Sequence, residues 1–378
     1  MLSDEWEIMK NPFRYGCVVD GEYFCPRIEL ERQLRSYAES GQNVVIQGER
    51  RMGKTSLVRK AITGMRGERL LYIDLHSIKT LADFCRRVMV GVAGVTDKMS
   101  FLKKALSLAY RLRPAITADP NTGALSITVD AKAASEPESL NEVMKTIEKL
   151  AKDGGLCVVF DEFQDILKLE DSERMLAEMG STIQFQADTP YFFLGSVRNE
   201  MLHIFSDYES PFFKSALPFE VGAIDSAEFT RFLVKRFSKG DRRISMGTVA
   251  SILAFAGGVS GDVQELCDAL WEVSEEGAEI SDADIPKALK VVFARERNGF
   301  DAAVADLTPN QFTVLRGLAE LGDVGVYSDE FMKFVQKASP GAVKRALNKL
   351  EACRLVYVFH KGYRFANPFF KEWIKTEL

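Results

Sequence analysis

Two glycines bracket four residues and are followed by a lysine and a threonine, Gly48-Glu49-Arg50-Arg51-Met52-Gly53-Lys54-Thr55. That spacing suits an anion. Glycines let a loop curl until successive backbone N–H groups face one point, where a helix N-terminus adds partial positive charge. Lys54 then reaches the outer phosphates of a nucleoside triphosphate, Thr55 offers its hydroxyl to Mg²⁺, and Ser56 continues the cradle. Further along, "LCVVFDEF" closes an apolar run with two acids. Asp161 is suited to hold the cation and Glu162 to polarise an attacking water. A third apolar run, "FFLGSVR", ends in Ser196 and Arg198, a hydroxyl to position that water and a cation for the γ-phosphate. Arg50 and Arg51 stay open between lining the loop, pairing with local acids, and meeting a neighbouring subunit or domain. No N-K-x-D segment that reads guanine is present, which favours adenine.

Such chemistry needs the loop between a strand and a helix, and the acids at the carboxyl end of a neighbouring strand. "NVVIQ" reads as that strand and "TSLVRKAITGM" as that helix. Upstream, residues 27–40 form an amphipathic helix carrying Ile28, Leu30, Leu34 and Tyr37, stopped at Gly41. Residues 69–78 read as a second buried strand, "TLADFCRRVMVGVAGV" as the next helix, 139–155 as a helix closed by glycines, and 191–201 as a further strand. Alternation on either side of Asn121-Thr122-Gly123 predicts a β-hairpin inserted over about 113–131. Two-sided apolar strands alternating with helices predict an α/β fold, a P-loop NTPase parallel sheet with helices on both faces. Residues 225–295 read as helical throughout, an α-helical lid. From Leu307 three helices precede the short strands "LVYVFH" and "YRFA" around Lys361-Gly362, the order of a winged helix-turn-helix. The expected domains are a core with its N-terminal segment (1–222), the lid (223–304) and the winged helix (305–378).

The bulk numbers agree. A chain of 378 residues suggests two or three domains, and 46% hydrophobic with 27% charged residues is ordinary for folded protein. No apolar run is long enough to span a bilayer and the first residues are acidic, so no membrane partner and a cytoplasmic location are expected. Six scattered cysteines without C-x-x-C, and three histidines, point to reduced thiols and no structural zinc. The net charge of −5 argues against wholesale nucleic-acid coating, but residues 305–378 hold eleven Lys/Arg against eight Asp/Glu, a net of +3. In "SPGAVKRALNKLEACR", Val343, Ala346, Leu347 and Leu350 form the buried stripe, which leaves Lys344, Arg345, Asn348 and Lys349 outward. With Lys361 and Arg364 on the wing, these residues suit double-stranded DNA; docking onto a protein or within the chain is equally open.

Taken together, "NPFRYG", "FCPRIELERQL", "GERRMGKTSL", "VVFDEFQ", "FFLGS", "SPFF", "GDVQELCDALW" and the closing "YRFANPFFKEWI" resemble the archaeal-type ATPases of the AAA+/STAND group of P-loop ATPases, over nearly the whole chain. The resemblance implies an ATPase core, a helical lid and a winged helix, with ATP and Mg²⁺ as cofactors. It assigns Lys54, Thr55, Asp161 and Glu162 the roles above and places Pro12, Phe13 and Tyr15 near the adenine. Two positions depart from the pattern. Ser260 stands where the lid of the family has proline, and Gln264 stands where the similar replication initiators have an arginine. Three functions emerge as expectations: a nucleotide-driven switch, an initiator-like or mobile-element DNA-binding ATPase, and a regulatory partner of a separate effector in a defence system, the last two with homo-oligomers or protein partners in view. The chain contains no nuclease constellation of its own.

Overall fold

The computed structural model describes residues 10–63, 65, 67, 69–95, 115–118, 125–134, 138–152, 154–196, 198–322, 325–336, 339–359 and 362–378. The chain divides into two compact units, one of Val18–Gly222 and one that joins Met1–Cys17 to Ala223–Leu378.

In the first unit, helix α1 (Ile28–Glu39) precedes strand β1 (Val44–Gln47), the phosphate loop and helix α2 (Lys54–Thr63). Strand β2 (Arg69–Asp74) and helix α3 (Leu81–Val95) come next. The expected hairpin is present as β3 (Ala115–Ala118) paired antiparallel with β4 (Leu125–Thr128); its turn residues lie outside the described ones. A short helix α4 (Ala131–Ala134) and α5 (Glu138–Lys152) lead into β5 (Leu156–Asp161), a 3-10 turn over Phe163–Lys168, and α6 (Ser172–Ile183). Strand β6 (Tyr191–Gly195), helix α7 (Arg198–Ser206) and strand β7 (Leu217–Glu220) complete the unit.

Five of these strands form one parallel sheet in the order β2-β5-β6-β1-β7. Strands β5 and β6 are buried at every position, as expected where helices cover both faces of a sheet. Aromatic rings pack across them: Phe160 of β5 stacks on Phe193 of β6 at 6.1 Å between centroids, and Phe163 of the 3-10 turn meets Phe193 at 4.7 Å. One reading of the sequence changes here. The strand expected over 191–201 stops at Gly195 and a helix begins at Arg198. Of the apolar residues of α1, Ile28 is 70% exposed, whereas Leu34 is fully buried. Strand β7, "LPFE", carried no alternation to reveal it; it is an edge strand, where Pro218 costs no ladder bond to an outer neighbour.

In the second unit, α8 (Ser226–Ser238), α9 (Met246–Phe255), α10 (Ser260–Val273) and α11 (Ile285–Ala305) build the lid. It is not helical throughout, because β8 (Arg243–Ile244) pairs in parallel with β9 (Glu279–Ile280). Asp225 caps α8 by accepting the N–H groups of Ala227 and Glu228. The N-terminal residues pack onto this lid. Phe13 lies 4.6 Å from Phe237 and 6.5 Å from Trp271 by ring centroids, Arg236 donates to the Pro12 carbonyl at 2.9 Å, and Asn11 donates to Asp268 at 2.6 Å.

The winged helix comprises α12 (Pro309–Leu321), α13 (Asp329–Phe334), α14 (Pro340–Ala352), the antiparallel pair β10 (Val356–Phe359) and β11 (Gly362–Phe365), and α15 (Pro368–Glu377). A capping box of Thr308 and Gln311 starts α12, and the Ser328 and Ser339 side chains cap the next two helices. Phe370 and Trp373 of α15 pack on Phe300 of α11 at 5.2 and 5.4 Å.

Candidate functional site

Strand β6 lies between β1, which feeds the phosphate loop, and β5, which ends in the acids. Its register sets Gln47 level with Gly195 and Phe160 level with Phe193. One residue beyond these strand ends, the phosphate loop, Glu162 and Ser196 therefore come together at one carboxyl edge.

Lys54 opens α2 and is 6% exposed. Its ammonium folds back to donate to the carbonyls of Gly48 at 2.9 Å and Glu49 at 3.0 Å. Burial lowers its pKa from the ordinary lysine value, against the pull of Glu162 and Asp161. Arg50 is exposed, Arg51 half-buried at a left-handed φ of 67°, and Met52 buried. Ser56 is buried and accepts the Val19 N–H at 3.0 Å.

The two acids take different partners. Asp161, 6% exposed, accepts the Thr55 hydroxyl at 2.6 Å on Oδ2 and the Glu162 N–H at 2.9 Å on Oδ1. Glu162 stands at φ 50° and ψ 44°, and its Oε2 accepts from Ser196 Oγ at 2.8 Å and Gln164 Nε2 at 2.6 Å. Four of the sequence-predicted residues, Thr55, Asp161, Glu162 and Ser196, are thus in direct contact as two pairs. Arg198 is the first residue of α7, and its side chain lies outside the described residues.

Three participants escaped the sequence reading. Tyr72, on β2, donates its hydroxyl to Asp161 Oδ2 at 2.6 Å; burial and the Asp161 charge both raise the phenol, so it stays a donor. Its one signal was a polar-tipped ring near a strand end. Arg27, 7% exposed, donates to the carbonyls of Met52 at 2.8 Å and Gly222 at 2.7 Å and braces the loop from behind. No local pattern announces that role. Gln164 stood in the quoted "VVFDEFQ" without a function.

A hydroxyl and a carboxylate touching at the loop are hard oxygen donors that fit Mg²⁺. Among the described residues no group of three His, Cys, Asp or Glu could hold a metal ion by itself, so Thr55 and Asp161 fit a cation completed by phosphate oxygens.

Pro12, Phe13 and Tyr15 belong to the unit of the lid. Phe13 is 3% exposed within the aromatic cluster, and the Tyr15 hydroxyl meets Arg295 at 3.1 Å. Gln264 is buried and its carbonyl accepts the Arg14 N–H at 3.5 Å. In the winged helix, Val343, Ala346, Leu347 and Leu350 are buried while Lys344, Arg345, Asn348 and Lys349 are exposed. Lys361 lies outside the described residues. Arg364, expected on the wing as a DNA-backbone contact, has its guanidinium beside Gly257, where a Cβ would collide with it.

A family profile described as a probable winged helix domain matches residues 298–376. None of the curated proteins matches the chain. Among solved structures, a Walker-type ATPase of Pyrococcus abyssi superposes with a TM-score of 0.65 at 18% identity, over 94% of this chain and 97% of that one. The ORC2 protein of Aeropyrum pernix, solved as ADPNP-ADP complexes, superposes at 0.54 and 15% identity over 96% and 97%. The ORC1 protein of the same organism, solved in complex with DNA, superposes at 0.52 and 13% identity over 94% of each chain. No helix among the described residues is long and apolar enough to cross a membrane. The chain has the fold of an archaeal-type P-loop ATPase, a parallel sheet with flanking helices that ends in a winged helix.

Proposed function

We propose that the chain binds ATP with Mg²⁺ and hydrolyses it slowly, as a nucleotide-driven switch of the AAA+/STAND kind. The observation that carries this reading is the meeting of Thr55 with Asp161 and of Ser196 with Glu162 at one sheet edge. Gly48 to Ser56 cradle the phosphates, with Lys54 leaving its two carbonyls for phosphate oxygens. Thr55 and Asp161 hold the cation, whose chemistry is to neutralise charge on the β- and γ-phosphates. Glu162 accepts the proton of the attacking water, Ser196 orients that carboxylate, and Arg198 is assigned to the γ-phosphate. The proposed core, lid and winged helix keep the bounds 1–222, 223–304 and 305–378, except that residues 10–17 travel with the lid, so Pro12, Phe13 and Tyr15 report on the adenine through it.

The test is ATP turnover by the wild type beside Lys54→Ala and Glu162→Gln, with and without duplex DNA across a salt series. The reading requires slow Mg²⁺-dependent turnover that both variants abolish. Turnover that survives in both would overturn it.

The exposed Lys344, Arg345, Asn348 and Lys349 favour a second role, an initiator-like contact of α14 with double-stranded DNA. Stimulation by DNA that fades with salt supports it. ATP binding without any DNA response assigns the winged helix to a protein effector or a second copy, as in a defence regulator, in a cytoplasmic setting.

A further inference from the structure

Glu162 receives both of its side-chain hydrogen bonds on one oxygen. Ser196 Oγ and Gln164 Nε2 converge on Oε2, at 2.8 and 2.6 Å. Two donors on one oxygen fix the carboxylate plane and leave the other oxygen without a side-chain hydrogen bond among the described residues.

Gln164 is 1% exposed, and its position has a cost. Its own carbonyl oxygen is buried without a partner. A carboxylate needs the amide to present its NH₂, so the orientation that would pair the carbonyl elsewhere is closed to it. The backbone makes room for this arrangement: a Cβ on Gly195 would stand 2.7 Å from the Gln164 carbonyl oxygen and collide with Met201. A buried glutamine with half its amide unsatisfied is poor packing, and an apolar side chain of equal volume would fill the site better. Its presence here makes sense as a demand of Glu162.

We infer that Gln164 is a positioning residue for hydrolysis: with Ser196 it locks Glu162 Oε2, so that Oε1 is the oxygen that takes the proton from the attacking water. This rests on the ATPase reading above. Gly195, at the end of β6, is the position that admits the amide.

Gln164→Met keeps the volume and removes both the donor and the orphaned carbonyl. Its turnover number should fall by about 10- to 100-fold, its affinity for a fluorescent ATP analogue should not change, and its melting temperature should hold or rise. Gly195→Ala should reproduce the split between turnover and affinity. Equal loss of affinity and melting temperature would make Gln164 merely structural and overturn the inference. Wild-type turnover that Glu162→Gln abolishes and Gln164→Met retains overturns it alone. A wild type that does not hydrolyse ATP overturns the ATPase reading and this inference with it.

Discussion

At the scale of single residues, the site divides into side chains that would meet the ligand and side chains that aim them. Tyr72 belongs to the second kind. It shares Asp161 Oδ2 with Thr55, so it steadies the carboxylate. Tyr72→Phe should cost about 1 kcal/mol of stability. It should also raise the Mg²⁺ concentration needed for half-maximal nucleotide binding by about tenfold, read from a titration with a fluorescent nucleotide. The thiols offer a second check. Cys17 and Cys353 are exposed and the other four cysteines buried, and burial pushes the Cys85 thiol up to about 12. A thiol with a raised pKa stays protonated and unreactive well above neutral pH. Native protein at pH 8 should therefore titrate two fast thiols with a disulfide reagent, and all six only after unfolding; four fast thiols would place buried cysteines at the surface.

At the scale of elements, the loop, both acids and Ser196 were legible because each sits where a strand hands over to a loop, and that handover is written in local composition. Tyr72 and Arg27 were not, because their partners are set by strand order, and no window of neighbouring residues contains β2 beside β5. The same limit explains the edge strand β7 and the two-residue ladder of β8 and β9, too short for a period to show. The N-terminal segment was legible as a motif but not in its placement. Phe13 fills the space between Phe237 and Trp271, contacts more than two hundred residues away. Phe13→Ala should destabilise the lid unit by about 3 to 5 kcal/mol, seen as an earlier urea transition in Trp fluorescence; an unchanged midpoint would detach the segment from the lid core.

At the scale of the whole molecule, charge and connectivity decide the output. With a net charge of −5 and a C-terminal segment of +3, the proposed DNA contact falls to α14. Lys344→Glu with Arg345→Glu should abolish any binding to duplex and flatten its salt dependence. Arg364→Ala should leave that slope unchanged and instead lower the melting temperature, because its guanidinium rests on the turn of Gly257 rather than on the wing's outer face. Equal effects of the two variants on binding would return Arg364 to the DNA surface.

The packing of residues 11–15 against the lid also sets a timetable. Ribosomes release a chain from its N-terminus, at about 5 to 20 residues per second. The sheet unit has all its strands once Glu220 has emerged, but the Pro12 carbonyl waits for Arg236, and Phe13 for Trp271. Residues 11–15 leave the ribosome before the sheet does and are thus held without their partners while the entire sheet is made from later parts of the chain. Circular permutation that moves this segment behind Leu378 would let it close onto a lid already built.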